Sequence, residues 1–540
     1  MKRNKSTKKT GINEKFKKIS LNLFDNAKNN LFYIIFYIIL LCVSLEIIKT
    51  INVNKIGFTN LGESEFTKIA TGITIILSLI YFFLFKNMDR KKKINLEKIF
   101  LYVMIPIGML YMILMPIGSV PDENNHLFRS YEVSLGHLTS EVNEQGGGGS
   151  ELPIGLTEIV FNFREDVEED TYKTWLEKVK IENITNETEF NPHGMSLYSF
   201  LCYLPQALGI AITRIFTSNL LLQAYGGRII NFVVCIFIMW FSLKKIPFKQ
   251  LTFLIIAFLP MVFQEIISLS ADGITIASAT LVVSYVLFLI YEKKGQLNKI
   301  DYIILISSCL VLAMGKIVYL PICLLLYGIP KDRFKSNKDK FIKITSIVGV
   351  ISILNFTWLM YATRHLIEVN PYVNPKEQLK FILYNPIKYL TVIINSLRQM
   401  DWIIWDYPMQ LVGTWLGWLN IRLSNLFQLP LLILLIFSIV CENYKKIVID
   451  NKLKILAFFI VFITIVLIFT SLYISWNALQ NWTVEGIQGR YFIPLLLLIA
   501  VFSYNHYIVI EKKIPYRYIL LFMIFVNIHA LVSILNAYIG

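Results

Sequence analysis

One short stretch of the chain gathers several groups that could do chemistry: Pro121-Asp122-Glu123-Asn124-Asn125-His126-Leu127-Phe128-Arg129. Two adjacent carboxylates precede a histidine and an arginine. On a helix, Asp122 and His126 share a face at i, i+4, and Pro121 suits a first helical position. A carboxylate in such a place could take a proton from a hydroxyl. The pair Asp122 and Glu123 could also hold a hard divalent cation, Mg or Mn, through oxygen. A purely structural alternative stands beside both: acids at a helix start complement the positive end of its dipole.

Other polar residues sit where an apolar chain would not place them by chance. Asp272, in Ser268-Leu269-Ser270-Ala271-Asp272-Gly273, lies between two apolar runs, with Gln264 and Glu265 one to two turns earlier. An ionisable side chain there is costly and tends to be functional, or else it caps the following helix. Arg228 lies inside an apolar run and calls for an acidic partner. Lys316 could bind a phosphate or could extend toward the membrane surface. In Gly486-Ile487-Gln488-Gly489-Arg490-Tyr491-Phe492-Ile493-Pro494, the Arg490 guanidinium has the planar fork that suits phosphate oxygens. Gln488 and Tyr491 flank it, and Tyr473, Trp476, Trp482 and Glu485 precede it. The structural alternative for Arg490 is an interfacial arginine in an aromatic belt.

The elements that must position these groups are membrane helices. The chain has 540 residues, 55% of them hydrophobic and only 16% charged, well below the roughly 25% charged residues of soluble domains. Apolar runs long enough to cross a bilayer are expected at 31–48, 69–86, 99–120, 220–241, 251–268, 272–291, 301–314, 316–330, 343–362, 425–441, 455–474, 491–509 and 517–537. The net charge of +15 is uneven: residues 122–194 hold 16 acidic and 5 basic residues, a net of −11, which leaves +26 on the rest. The basic residues form short clusters between apolar runs, a pattern of membrane orientation and not of nucleic-acid binding. If every cluster is cytoplasmic, an even number of spans separates each pair. That parity splits 301–330 into two short helices turning near Gly315-Lys316. It also makes 195–217, with Pro205 and Arg214, an amphipathic helix on the membrane surface.

The expected fold is therefore all-α and polytopic in the plasma membrane. It has 13 spans, with the N-terminus cytoplasmic, the C-terminus outside, and an acidic external loop after the third span. The organisation is a basic N-terminus with two added helices (1–98), a core (99–362) carrying the external loop 121–219, a second external region (363–424) and C-terminal helices (425–540). Residues 144–151, Glu-Gln-Gly-Gly-Gly-Gly-Ser-Glu, read as a flexible loop. The six cysteines, Cys42, Cys202, Cys235, Cys309, Cys323 and Cys441, all lie in apolar segments without CxxC spacing, which implies neither disulfides nor a zinc site. No Walker A loop, GxSxG elbow or HExxH motif occurs.

Four segments, PDENNHLFRSYEVSLGHL at 121–138, LYSFLCYLPQALGI at 197–210, FLPMVFQEIISLSADG at 258–273 and IQGRYFIP at 487–494, resemble an uncharacterised family of bacterial multi-spanning membrane proteins placed in the GT-C glycosyltransferase superfamily. Arg228 with Asn231, Lys316 with Tyr319 and Pro321, and NPKEQL at 374–379 extend the likeness. The resemblance implies a sugar donor on polyprenyl phosphate and a catalytic acid in the first large external loop, followed by two juxtamembrane helices. It implies Asp122 or Glu123 as the base and Arg490 with Lys316 on the donor phosphate, with His126, Arg129, Asp272, Gln264, Arg228, Gln488 and Tyr491 around them. The partners implied are a lipid-linked sugar donor, a surface glycan or teichoic acid acceptor and membrane lipids. One departure stands out: the superfamily acid follows the first span, whereas Asp122 follows the third. A transporter or flippase of lipid-linked glycans would use the same basic rim without a base, and a non-catalytic envelope scaffold would need neither.

Overall fold

The computed structural model describes residues 95–143, 147–160, 187–363, 372–444, 447–508 and 516–538. The expected spans 31–48 and 69–86 lie outside them, as does the middle of the acidic loop. Described in chain order, the helices begin with α1 (Leu96–Leu114) and α2 (Glu123–Ser134), followed by strands β1 (Glu141–Val142), β2 (Gly148–Pro153) and β3 (Thr188–Pro192). Next come α3 (Leu204–Phe216), α4 (Leu220–Lys245), α5 (Gln250–Ala257), α6 (Pro260–Ile267), α7 (Ala271–Tyr291) and α8 (Lys299–Gly315). A 3₁₀ segment, Ile317–Gly328, leads to α9 (Asn337–Ala362), α10 (Pro375–Tyr384), α11 (Pro386–Leu397) and α12 (Tyr407–Val412). The hairpin β4 (Trp415–Leu416) and β5 (Ile421–Arg422), then α13 (Asn425–Cys441), α14 (Asn451–Ser475), a 3₁₀ turn Gly489–Leu495, α15 (Leu496–Phe502) and α16 (Tyr516–Tyr538) complete it. Residues 93–514 with 533–539 form one compact unit, which contains the candidate site; residues 516–532 of α16 lie outside it.

Apolar sequence makes these segments helical because lipid offers no hydrogen-bond partner, so each backbone group must be satisfied within its own segment. Among the described residues, six helices (α1, α4, α7, α9, α14 and α16) are long and apolar enough to cross a membrane. The pair α5 and α6, bent by 62°, makes a seventh candidate. Of the eleven spans expected within the described residues, six, or seven with the bent pair, are long and apolar enough, and prolines and 3₁₀ geometry account for part of the difference. Pro260 starts α6 and forces Leu259 into an extended conformation (ψ 134°), so the expected span 251–268 is broken. Pro321 lies in the 3₁₀ segment and Pro494 in the turn before α15, which ends at Phe502. The segments expected at 316–330, 425–441 and 491–509 are short apolar helices, and the one expected at 301–314 is the 17-residue α8.

The turn between α8 and the 3₁₀ segment falls at Lys316, where charge parity put it. The expected surface helix at 195–217 contains α3, only 13 residues long. Leu204, Leu208, Ile212 and Ile215 are exposed on it, while Gln206, Gly209 and Ile210 are buried. Its buried face meets α4 through glycine: a Cβ on Gly209 would strike the Gly226 backbone, and one on Gly226 would strike Thr213. Backbones that close leave α4 no freedom to turn, which fixes the direction of Arg228.

The loop expected to be flexible at 144–151 is partly a strand. Gly148–Pro153 is the middle strand of an antiparallel sheet in the order β1-β2-β3, with Glu151 opposite Phe190. Gly149 is there for space, since a Cβ would meet the backbone of Asn191 and Pro192. Leu152 and Leu156 pack with Ile117, Leu127, Ile210 and Leu269 in one apolar cluster, which ties the sheet to α2 and α3. A second cluster of Phe381, Val392, Phe469, Tyr473, Val484 and Ile487 joins α10 and α11 to α14 and to the chain leading into Arg490.

Candidate functional site

The two adjacent acids have separate fates. Glu123 is fully buried. Its Oε1 accepts from Arg228 Nε at 2.8 Å and from the Leu269 amide at 3.1 Å. Its Oε2 accepts from Arg228 Nη2 at 2.6 Å and from the Gly118 amide at 2.9 Å. Arg228 also donates to the carbonyls of Met115 and Pro116 at 2.6 and 2.9 Å. The carboxylate's acceptor sites are filled, so Glu123 fastens the loop 115–121 to α4, the acidic partner that Arg228 required. Asp122 is held just outside that anchor in a left-handed conformation (φ 62°, ψ 7°), one that aspartate adopts more readily than most non-glycine residues. Its side chain makes no cap for α2 and is 40% exposed.

Asp122 is the open edge of a cluster assembled from four distant parts of the chain. Arg490 Nη2 lies 3.4 Å from Asp122 Oδ2, its Nη1 lies 3.4 Å from Glu265 Oε1, and its Nε lies 3.7 Å from Asp272 Oδ2. Lys316 pairs directly with Asp272 Oδ1. The Lys316 ammonium sits over the rings of Tyr491 (5.1 Å) and Tyr198 (5.8 Å), and Arg490 also faces Tyr491 at 5.4 Å. Local structure explains each placement. Ser270 caps α7 by accepting from the Asp272 amide, leaving the Asp272 carboxylate free to face Lys316. The break before α6 delivers Glu265, and Gly489, which packs against the Tyr407 and Leu411 backbone, lets Arg490 reach inward. Burial pushes the Tyr198 phenol up to about 12, so it stays a neutral hydroxyl.

His126 lies beside this cluster without joining it as a charge. Its Nδ1 is 2.6 Å from the Tyr203 hydroxyl and its Nε2 is 3.4 Å from Ser270 Oγ. Burial pulls its pKa down to about 3 against the opposing pull of Asp272, so the ring is neutral and unsuited to be a base at neutral pH. Arg129 points elsewhere: it donates to Glu132 and to the Leu138 carbonyl at 2.7 Å. Glu132 also contacts His193 at 3.3 Å and Ser140 at 3.1 Å. Burial alone would raise its pKa, but His193 and Arg129 outweigh burial and hold it below the usual carboxylate range. This second cluster is an internal brace of the β-sheet region. Gln264 Oε1 accepts from the Gly417 amide at 2.8 Å, and Gln488 Oε1 is buried without a partner.

Tyr198 is the participant that spacing did not select, and Glu265, noted only as a neighbour of Asp272, proves to face Arg490. Glu265 carried the clearest signal, an acid inside an apolar run. For the divalent cation, Asp122 and Glu123 do not fit as a ligand pair, because Glu123 is spent on Arg228. Among the described residues no group of three or more His, Cys, Asp or Glu is placed to hold a metal ion.

The fold and site define a class: a multi-pass helical membrane protein with a buried charge cluster opening at one exposed aspartate. The family model described as "Predicted membrane protein (DUF2142)" matches residues 105–499, more than half of the chain, and the chain belongs to that family. The matched span includes Asp122, Glu265, Asp272, Lys316 and Arg490. No curated protein and no solved structure matches the chain.

Proposed function

We propose that this protein is a membrane glycosyltransferase of GT-C type. It would transfer a sugar from a polyprenyl-phosphate donor to a cell-envelope glycan or teichoic acid on the extracytoplasmic side. The observation that carries this reading is the unequal treatment of the acids: Glu123, Glu265 and Asp272 are buried and paired, while the Asp122 side chain is 40% exposed and only loosely held by Arg490. A free carboxylate beside buried cations is what a base needs next to a phosphate leaving group.

Arg490 makes its three carboxylate contacts at 3.4, 3.4 and 3.7 Å, longer than the roughly 2.7–2.9 Å of a strong charged hydrogen bond. It therefore retains donor capacity for a phosphate, with Lys316 adding the second positive charge. In the reaction, an acceptor hydroxyl gives its proton to Asp122 as its oxygen bonds to the anomeric carbon. The bond from that carbon to the phosphate oxygen breaks, its electron pair goes to the phosphate, and Arg490 and Lys316 stabilise that charge. Attack from the face opposite the phosphate inverts the anomeric centre. A groove of about 670 Å³ between α1 and α4, lined by Leu101, Ile105, Met109, Ile113, Ile229 and Val233 among others, offers an apolar channel for the polyprenyl tail.

The test is transfer from a panel of purified polyprenyl-phosphate sugars in proteoliposomes. Asp122→Asn is expected to lower transfer by at least about 10²-fold, the range of a general base, with normal expression and melting. Normal transfer by this variant would remove the base from the proposal, and loss of surface glycan export without any transferase activity in the wild type would favour a transporter.

A further inference from the structure

Two short helices in the region expected at 363–424, α10 and α11, carry an exposed apolar face. Leu379, Leu383 and Tyr384 on α10 and Ile387, Leu390 and Ile394 on α11 are all exposed, Tyr384 and Ile387 at 81%. Leu379 with Leu383, and Ile387 with Leu390 and Ile394, recur at three- and four-residue spacing, so each helix shows one continuous stripe. On the other side, Phe381 and Val392 pack in one cluster with Phe469 and Tyr473 of α14. Asn385 leaves helical geometry (φ −130°, ψ 56°) ahead of Pro386, so the two helices are a hairpin's arms and not one rod. At 10 and 12 residues they are about 15 and 18 Å long, roughly half of what a span needs.

α14 fixes the depth of this hairpin. It has 25 residues and is apolar enough to cross a membrane. At 1.5 Å per residue it is about 37 Å long, and it overhangs a hydrocarbon core of roughly 30 Å by about 4 Å at each end. Thr470, whose hydroxyl shares a 2.7 Å hydrogen bond with the Tyr389 hydroxyl, lies about 7 Å inside the end of α14 at Ser475. The Tyr389 ring also meets that of Tyr473 at 5.4 Å. α11 therefore runs at the edge of the hydrocarbon core, not in the water beyond it. Charge agrees with that depth: residues 372–400 hold Lys376, Lys380, Lys388 and Arg398 against one acid, Glu377, which pairs with Lys380 at 2.7 Å. An apolar stripe with a basic edge suits a helix lying in lipid, its stripe among acyl chains and its cations at headgroup phosphates. Contacts between protein helices in lipid favour small residues, and this stripe offers only Leu, Ile and Tyr.

The inner side of the same hairpin holds the chain that leads to Arg490. Gln378 Oε1 accepts from the Gln480 amide and Ser396 Oγ from the Val484 amide, both at 2.8 Å. Ile487, just before the Arg490 turn, packs in the same cluster as Phe381 and Val392. We infer that α10 and α11 form a hairpin seated in the lipid leaflet on the charge-cluster side, and that this lipid contact positions the segment 480–488 and, through it, Arg490. The seat of the hairpin is independent of the transferase reading.

The experiment places the full chain in nanodiscs of phosphatidylglycerol and phosphatidylethanolamine. Spin labels are attached at Leu383→Cys and Ile387→Cys in a chain carrying Cys42→Ser and Cys441→Ser; Cys202, Cys235, Cys309 and Cys323 are buried. Oxygen, which concentrates in lipid, is expected to relax both labels more than a water-soluble nickel chelate does, the reverse of a label at the exposed Glu141→Cys. Stronger relaxation by nickel would put the face in water, and protection from both reagents would put a second protein chain over it; either result overturns the inference. The positioning role is read by hydrogen exchange in Ile387→Asp, a change at an exposed position. Exchange over 479–488, taken relative to α7, is expected to rise about threefold or more as the hairpin lifts from the lipid. An unchanged ratio would overturn the positioning of Arg490 and leave the hairpin as a lipid anchor alone.

Discussion

Arg490 faces three carboxylates at 3.4 to 3.7 Å, and Glu123 faces one arginine and two amides at 2.6 to 3.1 Å, so Glu123 is the more tightly fastened of the two. Breaking a buried ion pair from one side leaves an uncompensated charge and costs about 3–5 kcal/mol. Arg228→Met is therefore expected to lower the melting temperature strongly in detergent. The double variant Glu123→Gln/Arg228→Met should recover much of the loss, because no charge is stranded; equal melting of the single and double variants would refute the pairing role. His126 yields a pH prediction. Its folded pKa, about 3, lies below the unfolded value of roughly 6.5, so protons favour the unfolded chain. The stability from keeping it neutral is complete above about pH 6.5 and is lost as pH falls toward 3, at up to about 1.4 kcal/mol per unit. His126→Gln should melt less steeply with pH than wild type between pH 6.5 and 5. Parallel curves would mean that the ring is not buried as a neutral group.

At the scale of elements, the site exists because backbones approach where side chains are absent. Gly209 and Gly226 bring α3 onto α4, and α4 carries Arg228. Gly226→Val is expected to destabilise by roughly 1–3 kcal/mol through overpacking and to lower any transfer activity more than it lowers melting, because a shifted α4 moves the Glu123 anchor and with it Asp122. Much of this level was legible from the chain. The acidic motif at 121–129, the break at Lys316 and Arg490 are local patterns of charge in apolar sequence that the structure brings to one cluster, whereas the helix expected over 195–217 is α-helical only from Leu204 to Phe216. What was not legible depends on distant partners. Asp122 and Glu123 are adjacent acids, and only Arg228, 105 residues on, tells them apart. Arg490 meets Asp122, 368 residues earlier in the chain, and no local pattern joins the two. The shortened helices depended on prolines whose effect is a break in α5–α6 but 3₁₀ winding near Pro321 and Pro494.

At the scale of the whole molecule, the anchor and the apolar groove share one helix. Arg228 points from α4 to Glu123, while Tyr225 and Ile229, on either side of it, line the groove. The groove therefore reaches the level of the loop that carries Asp122, and its walls are almost wholly apolar from Leu101 to Trp240. Gly108 is part of why the two helices can form it, since a side chain there would collide with Phe232. A long isoprenoid would gain about 25 cal/mol for each Å² of apolar surface it buries, although in a membrane the competing state is lipid, so the gain rests on shape more than on leaving water. Filling the groove should then penalise long donors selectively. Ile113→Trp or Val233→Trp, at exposed lining positions, is expected to weaken binding of a C55 polyprenyl phosphate while leaving a C10 analogue, too short to reach the groove's far end, nearly unchanged. Equal loss for both lengths would mean that the substitution disturbs the phosphate site through α1 and α4. No loss for either would place the tail elsewhere on the bundle, with the charge cluster still reached from its exposed aspartate.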